Sequence, residues 1–457
     1  MSDRTPAIDY AKDHSEAFLE SLNELLRIPS ISTLPENEPD MAKAAEWLAE
    51  RMRSLGFSEV EIIPTKRHPV VYGEHMQAGP DAPTILVYGH YDVQPADPLD
   101  LWETDPFEPT VRGNDLFARG ASDMKGQIVA HLMAVESMIN TSGLPVNLKY
   151  MVEGEEEIGS PNIEAFIQQH KDKLACDVCL NADAGILAAD IPAITYGLRG
   201  LAYFEIRLQG ADRDLHSGRF GGTIPNPGNA LAKLIAGMHD EQGRVTLPGF
   251  YTKVRPLSDE ERDELAKLPE DEAWWKAQSG SDVLTGEIGY TPTERASARP
   301  TLDVNGLLCG FTGEGSKTVL PAKAMAKISM RLVPDQTAAE TETSLRQYLE
   351  ENMPAGISWE LINHAGGEPS IIDVDSPAVK AASKAFLQTW GKAPLFDREG
   401  GSVPVVGIIQ KRLGAGSLML GYGLPDDNLH APNEKLHLPN YFRGIETYIH
   451  FTHEMAE

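Results

Sequence analysis

The sequence predicts an α/β domain, formed by residues 1–198 and 370–457, whose mainly parallel sheet is covered by helices and whose chain is interrupted at 199–369 by an inserted α+β domain. Three observations predict this. Short apolar runs at 84–88, 148–152 and 177–180 alternate with helical stretches, as in a sheet buried on both faces. From about residue 199 the texture changes: Ala202, Phe204, Ile206 and Leu208 alternate with polar residues, so one face of that strand is wet. The elements that follow run βαββαβ, the order of a split, ferredoxin-like unit, before helix, strand and helix return from about residue 376.

Each element has a local reason. Phe18, Leu22, Leu25 and Leu26 recur at helical spacing up to Pro29, which ends the helix. Met41, Ala44, Ala45, Trp47, Leu48, Met52 and Leu55 make a second apolar stripe, and Gly56 stands where a left-handed C-terminal cap belongs. A helix is expected at about 126–140. In the insert, helices are expected at 229–238 and about 344–351, and strands at 301–308, 322–333 and about 357–362. Residues 241–300, rich in charge and proline, read as an extra segment with some helix at 258–268. A last short buried run lies at 417–420.

The 457 residues suffice for two or three domains, and 41% hydrophobic with 24% charged residues is ordinary for a globular enzyme. A formal charge of −28 without a basic block argues against nucleic acid or an anionic membrane as partner. Residues 1–14 lack the basic-then-apolar order of a secretory signal, and no run is long enough to span a bilayer, so the expected location is cytoplasmic. Cys176, Cys179 and Cys309 cannot all pair, and the apolar setting of Cys176-x-x-Cys179 favours buried thiols over a metal or redox site.

The stretch Glu153-Gly154-Glu155-Glu156-Glu157-Ile158-Gly159-Ser160 follows a strand-like run, and so many carboxylates together call for a cation among them. Further candidate ligands recur just after other strand-like runs. His90 and Asp92 lie in Gly89-His90-Tyr91-Asp92-Val93-Gln94-Pro95; two apart in extended chain they face one way, so His90 can bind metal while Asp92 orients it. Asp123 lies in the glycine-flanked turn 119–126, Asp183 follows the run 177–180, and His430 follows 417–420. Open α/β folds gather ligands at the carboxyl ends of their strands. Imidazole and carboxylate without thiolate suit Zn²⁺, Mn²⁺ or Co²⁺. No His-Glu-x-x-His occurs, Gly400-Gly401-Ser402-Val403-Pro404 is not a serine-hydrolase elbow, and residues 310–317 lack the Gly-Lys-Ser/Thr end of a phosphate loop.

These motifs, with Asp214-Leu215-His216-Ser217-Gly218, Thr318-Val319-Leu320-Pro321, Arg331-Leu332-Val333-Pro334, residues 398–404 and 430–435, resemble the M20 metallopeptidase family over essentially the whole chain. The resemblance is greatest to its cytosolic non-specific dipeptidase and carnosine dipeptidase branch, and it extends to the segment at 241–300. It implies an M20-type catalytic domain with an inserted lid and dimerisation domain, and two divalent ions per subunit, zinc first, manganese or cobalt as alternatives. Asp123 would bridge the ions, with His90 and Asp183 on one and Glu157 and His430 on the other. Glu156 would be the general base, Asp92 would assist, and His216 would reach the partner subunit's active site to stabilise the oxyanion. Arg331, Thr318, Gly401, Ser402 and His364 would contact substrate, and Glu155 would be a surface or supporting carboxylate. The implied activity is hydrolysis of dipeptides by a homodimer joined through the insert. The rival activities are deacylation of N-acyl amino acids and, in another class, a catalytically silent metal-binding or scaffolding protein.

Overall fold

The computed structural model describes residues 4–401 and 403–457, and the chain divides into two units. The first comprises residues through Tyr196 together with Ile372–Asp397 and Ile408–Glu457; the second comprises Gly197–Ile371 and Arg398–Gly407. The short stretch Arg398–Gly407 thus groups with the insert.

In the first unit six strands form one sheet in the order Glu59–Ile63, Val70–His75, Asn147–Glu153, Thr84–His90, Val178–Asn181, Gly416–Met419. The last four are mutually parallel, while Val70–His75 runs antiparallel to Asn147–Glu153 and Glu59–Ile63 antiparallel to Val70–His75. Strand Asn147–Glu153 is buried throughout, and Thr84–His90 throughout apart from Thr84, which is why both read as mainly apolar runs, interrupted in the first by the buried Lys149. The helix expected at 126–140 spans Lys125–Ile139 and is buried except at Glu136 and Ile139. It packs against Leu438–Met455 and the N-terminal helices Thr5–Asp13 and Ser15–Leu26. Gly126 opens it for a steric reason: a Cβ there would run into the carbonyl oxygen of Ala121. The second stripe forms the helix Glu38–Ser54, and Gly56 has the left-handed φ of 79° expected of it.

In the second unit four antiparallel strands lie in the order Thr301–Cys309, Lys323–Leu332, Gly200–Gln209, Ser358–Gly367. Helices Pro227–Gly237 and Ala338–Asn352 complete the βαββαβ succession. Ala202, Phe204, Ile206 and Leu208 join Ala326, Ile328 and Met330 in a core that includes Leu231, Leu234, Leu345 and Leu349 of the two helices. Strand Gly200–Gln209 is interior, with a neighbour on each side, so the edges of this sheet are Thr301–Cys309 and Ser358–Gly367. The segment at 241–300 carries helices Asp259–Leu265, Glu272–Ser279 and Pro292–Ser297 and is pinned by a buried bidentate pair, Arg299 to Glu287, at 2.8 and 2.9 Å. Cys176, Cys179 and Cys309 are free, and burial pushes the Cys176 thiol up to about 11. Among the described residues no helix is long and apolar enough to cross a membrane.

Candidate metal centre

The carboxyl ends of the four parallel strands deliver the side chains. His90 is the last residue of Thr84–His90 and pairs in register with Glu153, so the loops beginning at Tyr91 and Gly154 leave the sheet side by side. His90 is fully buried, with Nε2 3.2 Å from Asp123 Oδ1 and Nδ1 donating to the Asp92 carbonyl at 3.0 Å if that nitrogen carries the proton. Asp92 organises the opposite loop, its two carboxylate oxygens accepting from the backbone N–H groups of Glu156 and Glu157 at 3.2 and 3.1 Å. Asp183 lies two residues beyond Val178–Asn181, its N–H donating to Asn181 Oδ1 at 2.8 Å, and its Oδ2 is 3.8 Å from His90 Nε2. His430 occupies the left-handed region at φ 61°, as do Asn428 and Asn433 in the same loop. Its Nε2 lies 2.9 Å from Asp123 Oδ2 and 3.3 Å from Glu157 Oε2.

Two ligand groups result, His90–Asp123–Asp183 and Asp123–Glu157–His430, each with donor atoms within 4.8 Å of one another and with Asp123 common to both. Glu156 belongs to neither. It starts the short 3₁₀ turn Glu156–Ile158, and burial, then the charges of Asp123 and Asp92, hold its carboxyl above the usual range against the pull of His90.

The side chains of the cluster shift one another's protonation strongly. Burial followed by the Asp123 charge pushes Asp183 up to about 8 and Glu157 up to about 7, although Asp183 keeps 26% of its side chain exposed. His430 is raised to about 9 by its bond to Asp123; for His90, burial opposes protonation and the bonds to Asp123 and Asp92 outweigh it. Asp123, which burial would push up, is instead held well below the usual carboxylate range by those two imidazoles. Four carboxylates therefore crowd round two imidazoles with too little positive charge, and divalent cations between them fit the donor set.

The Glu-rich stretch divides its labour. Glu155 is neither at the surface nor at this cluster: it is buried and accepts from Thr65 Oγ1, the His68 N–H and Asn162 Nδ2 at 2.6–2.8 Å. Glu153, pushed up to about 8 by burial, accepts from Tyr88 and Ser160. Gln94, singled out by no sequence signal beyond its place in the 89–95 motif, donates to Glu157 Oε2 at 2.7 Å.

The other expected residues lie in the second unit. His216 ends the two-residue strand Leu215–His216, paired with Val319–Leu320, and its Nδ1 accepts the Gly218 N–H at 3.0 Å. Thr318 is exposed beside it, its carbonyl accepting the Ser217 N–H at 3.1 Å. Arg331 stands opposite Leu201 and Thr301 on Lys323–Leu332 and near Arg199, whose guanidinium burial, reinforced by the Arg331 charge, lowers to about 10. Gly401 is exposed and follows Gly400, whose carbonyl accepts from Arg199 Nε at 3.2 Å. His364 sits at a bulge with Nε2 3.0 Å from Glu205 Oε2. Ser402 lies outside the described residues.

The model of peptidase family M20/M25/M40 matches residues 86–454. The chain belongs to that family. Among curated relatives, Cys-Gly metallodipeptidase DUG1 of Candida albicans is 33% identical over 98% of this chain and 96% of its own length. Among solved structures, the M20 family metallo-carboxypeptidase Sso-CP2 of Sulfolobus solfataricus superposes with a TM-score of 0.81 at 35% identity, covering 96% of this chain and 99% of that one. Human carnosine dipeptidase 1 gives a TM-score of 0.75 at 29% identity, covering 99% and 98%. This M20 chain is therefore an enzyme whose named relatives are peptidases, and its two ligand groups lie within the matched residues.

Proposed function

We propose that this M20 chain is a two-metal exopeptidase that hydrolyses the peptide bond of dipeptides. The observation that carries the reading is the pair of ligand groups sharing Asp123, with an additional half-buried carboxyl, Glu156, alongside but in neither. The relatives named as dipeptidases, matched over nearly the full length of both chains, support the substrate class. Two divalent cations, zinc first by donor type with manganese and cobalt as alternatives, would polarise the scissile carbonyl and acidify the attacking water when bound. His90 and Asp183 would hold one ion, Glu157 and His430 the other, and Asp123 both. Glu156 takes the proton from water as the new C–O bond forms and delivers it to the amine nitrogen as the C–N bond breaks. Burial raises its carboxyl above the usual carboxylate range, the direction that makes it a stronger proton acceptor. Asp92 keeps the ring of His90 and the turn carrying Glu156 in register.

The same reading gives the second unit the role of lid and dimerisation domain. Arg331 would pair with the substrate's terminal carboxylate, Thr318, Gly401, Ser402 and His364 would add contacts, and His216 would donate to the oxyanion of a partner subunit's site. The exposed Val304 and Leu307 of the edge strand Thr301–Cys309, with Leu308 and Phe311, support a homodimer through this domain. A cytoplasmic location accords with the scarce, unpaired cysteines.

The test is Glu156→Gln. It is expected to retain both ions and lose hydrolysis by at least about a hundredfold, the usual scale for a general base, with metal content and kcat measured together. Near-normal turnover in a metal-replete variant would sink the assignment. Turnover of a free-amine dipeptide against its N-acetyl analogue separates the dipeptidase from a deacylase.

A further inference from the structure

The ligands stand on three chain segments: His90 at the end of strand Thr84–His90, which leads into the loop through Pro95; Asp123 in the 119–126 turn; and His430 in the irregular loop before Lys435, the last two flanked by the paired strands Asp115–Phe117 and Lys435–His437. One ion pair touches all three. Arg119 and Glu434 are each only 1% exposed in their side chains, and Arg119 Nη1 donates to Glu434 Oε2 at 2.7 Å. The other guanidinium nitrogen, Nη2, donates to the Pro95 carbonyl at 3.1 Å, three residues beyond Asp92. Glu434, four residues beyond His430, uses its remaining capacity on the turn itself: Oε2 accepts the Gly120 N–H at 3.0 Å, and Oε1 accepts the N–H groups of Ser122 and Asp123, each at 3.1 Å.

We propose that the buried Arg119–Glu434 pair is a positioning pair that sets the mutual placement of the three ligand-bearing segments and thereby the affinity of the centre for both of its ions. The proposal rests on the metal-centre reading above and assigns roles to two residues which that reading leaves idle. The chemistry of the pair is suited to the task. Only a carboxylate offers two oxygens to four converging N–H donors, and only a planar guanidinium reaches a carboxylate and a carbonyl on diverging nitrogens. A glutamine at 434 keeps the volume but turns an NH₂ group toward two of the four donors, and a lysine at 119 keeps the charge but not the fork. Neither change alters a ligand. A purely structural ion pair is the competing account, since breaking any buried pair costs stability. Arg299–Glu287, also buried and in the other unit, provides the control for that.

The experiment titrates Zn²⁺ into metal-free, full-length protein against a chromophoric chelator, for wild type, Glu434→Gln, Arg119→Lys and Glu287→Gln, with thermal denaturation of each. Wild type is expected to bind two Zn²⁺. Glu434→Gln and Arg119→Lys are expected to bind both more weakly, by about 10–100-fold, the scale of groups that orient ligands. Glu287→Gln is expected to lose thermal stability and keep wild-type affinity. Wild-type affinity in folded Glu434→Gln and Arg119→Lys, or an equal loss in Glu287→Gln, would overturn the proposal while leaving the metal centre standing. Should Glu434→Gln not fold, Arg119→Lys alone decides by the same criterion. A wild type that binds fewer than two Zn²⁺ would overturn the metal centre and the positioning pair together.

Discussion

Asp123 is the residue on which both ligand groups depend, and its peptide N–H, accepted by Glu434, fixes where its carboxylate points. Asp123→Ala is therefore expected to lose both ions and not one, with activity lost in parallel; elemental analysis finding two ions per chain at normal affinity would contradict the bridge. His90, Glu156, Glu157, Asp183 and His430 stood out as candidates because each lies at or just beyond the end of an apolar run, where an open α/β sheet presents side chains, whereas Asp123, in a glycine-flanked turn, was given its role by the family resemblance. Gln94 and Glu434 did not, because their partners lie on distant loops and no local pattern records such pairings. Glu155 shows the same limit from the other side: the family resemblance left it at the surface or in support, whereas Thr65, His68 and Asn162 draw it inward.

At the level of elements, helix Lys125–Ile139 leads away from the Asp123 turn into the core, and His131 on it is buried between Tyr150 and Tyr448 with a short hydrogen bond to the Tyr150 hydroxyl. Burial lowers His131 from 6.5 to about 3. The unfolded chain then binds a proton that the folded chain refuses, so this residue's contribution is complete above about pH 6.5 and is lost as pH falls toward 3. Between pH 7 and pH 5 the loss amounts to about 2 kcal/mol. Urea unfolding of metal-free His131→Leu is expected to show a smaller decline over that interval than wild type, by about that amount; equal declines would show that His131 does not govern it. Helices Ser15–Leu26, Glu38–Ser54 and Lys125–Ile139 and the four parallel strands announced themselves through apolar stripes or short apolar runs. Glu59–Ile63 and Val70–His75 did not: the first is only half-buried and the second is broken by Gly73, which leaves room for Met52.

For the whole molecule, the interrupted α/β architecture and the βαββαβ insert followed from element order, while the interior position of Gly200–Gln209 did not, because alternation reports a wet face and not an edge. An intersubunit role for His216 makes a complementation prediction: mixing inactive Glu156→Gln with inactive His216→Ala subunits regenerates activity, since one site of each heterodimer combines both intact residues. Verified heterodimers without turnover would confine His216 to its own chain or to no catalytic role. If two ions held by one shared carboxylate drive peptide hydrolysis, stepwise reconstitution reveals it. Metal-free protein titrated with Zn²⁺, Mn²⁺ or Co²⁺ while dipeptide hydrolysis is followed should gain full turnover only with the second equivalent. Full turnover at one equivalent, or none at two equivalents of any of the three metals, would contradict the two-ion mechanism.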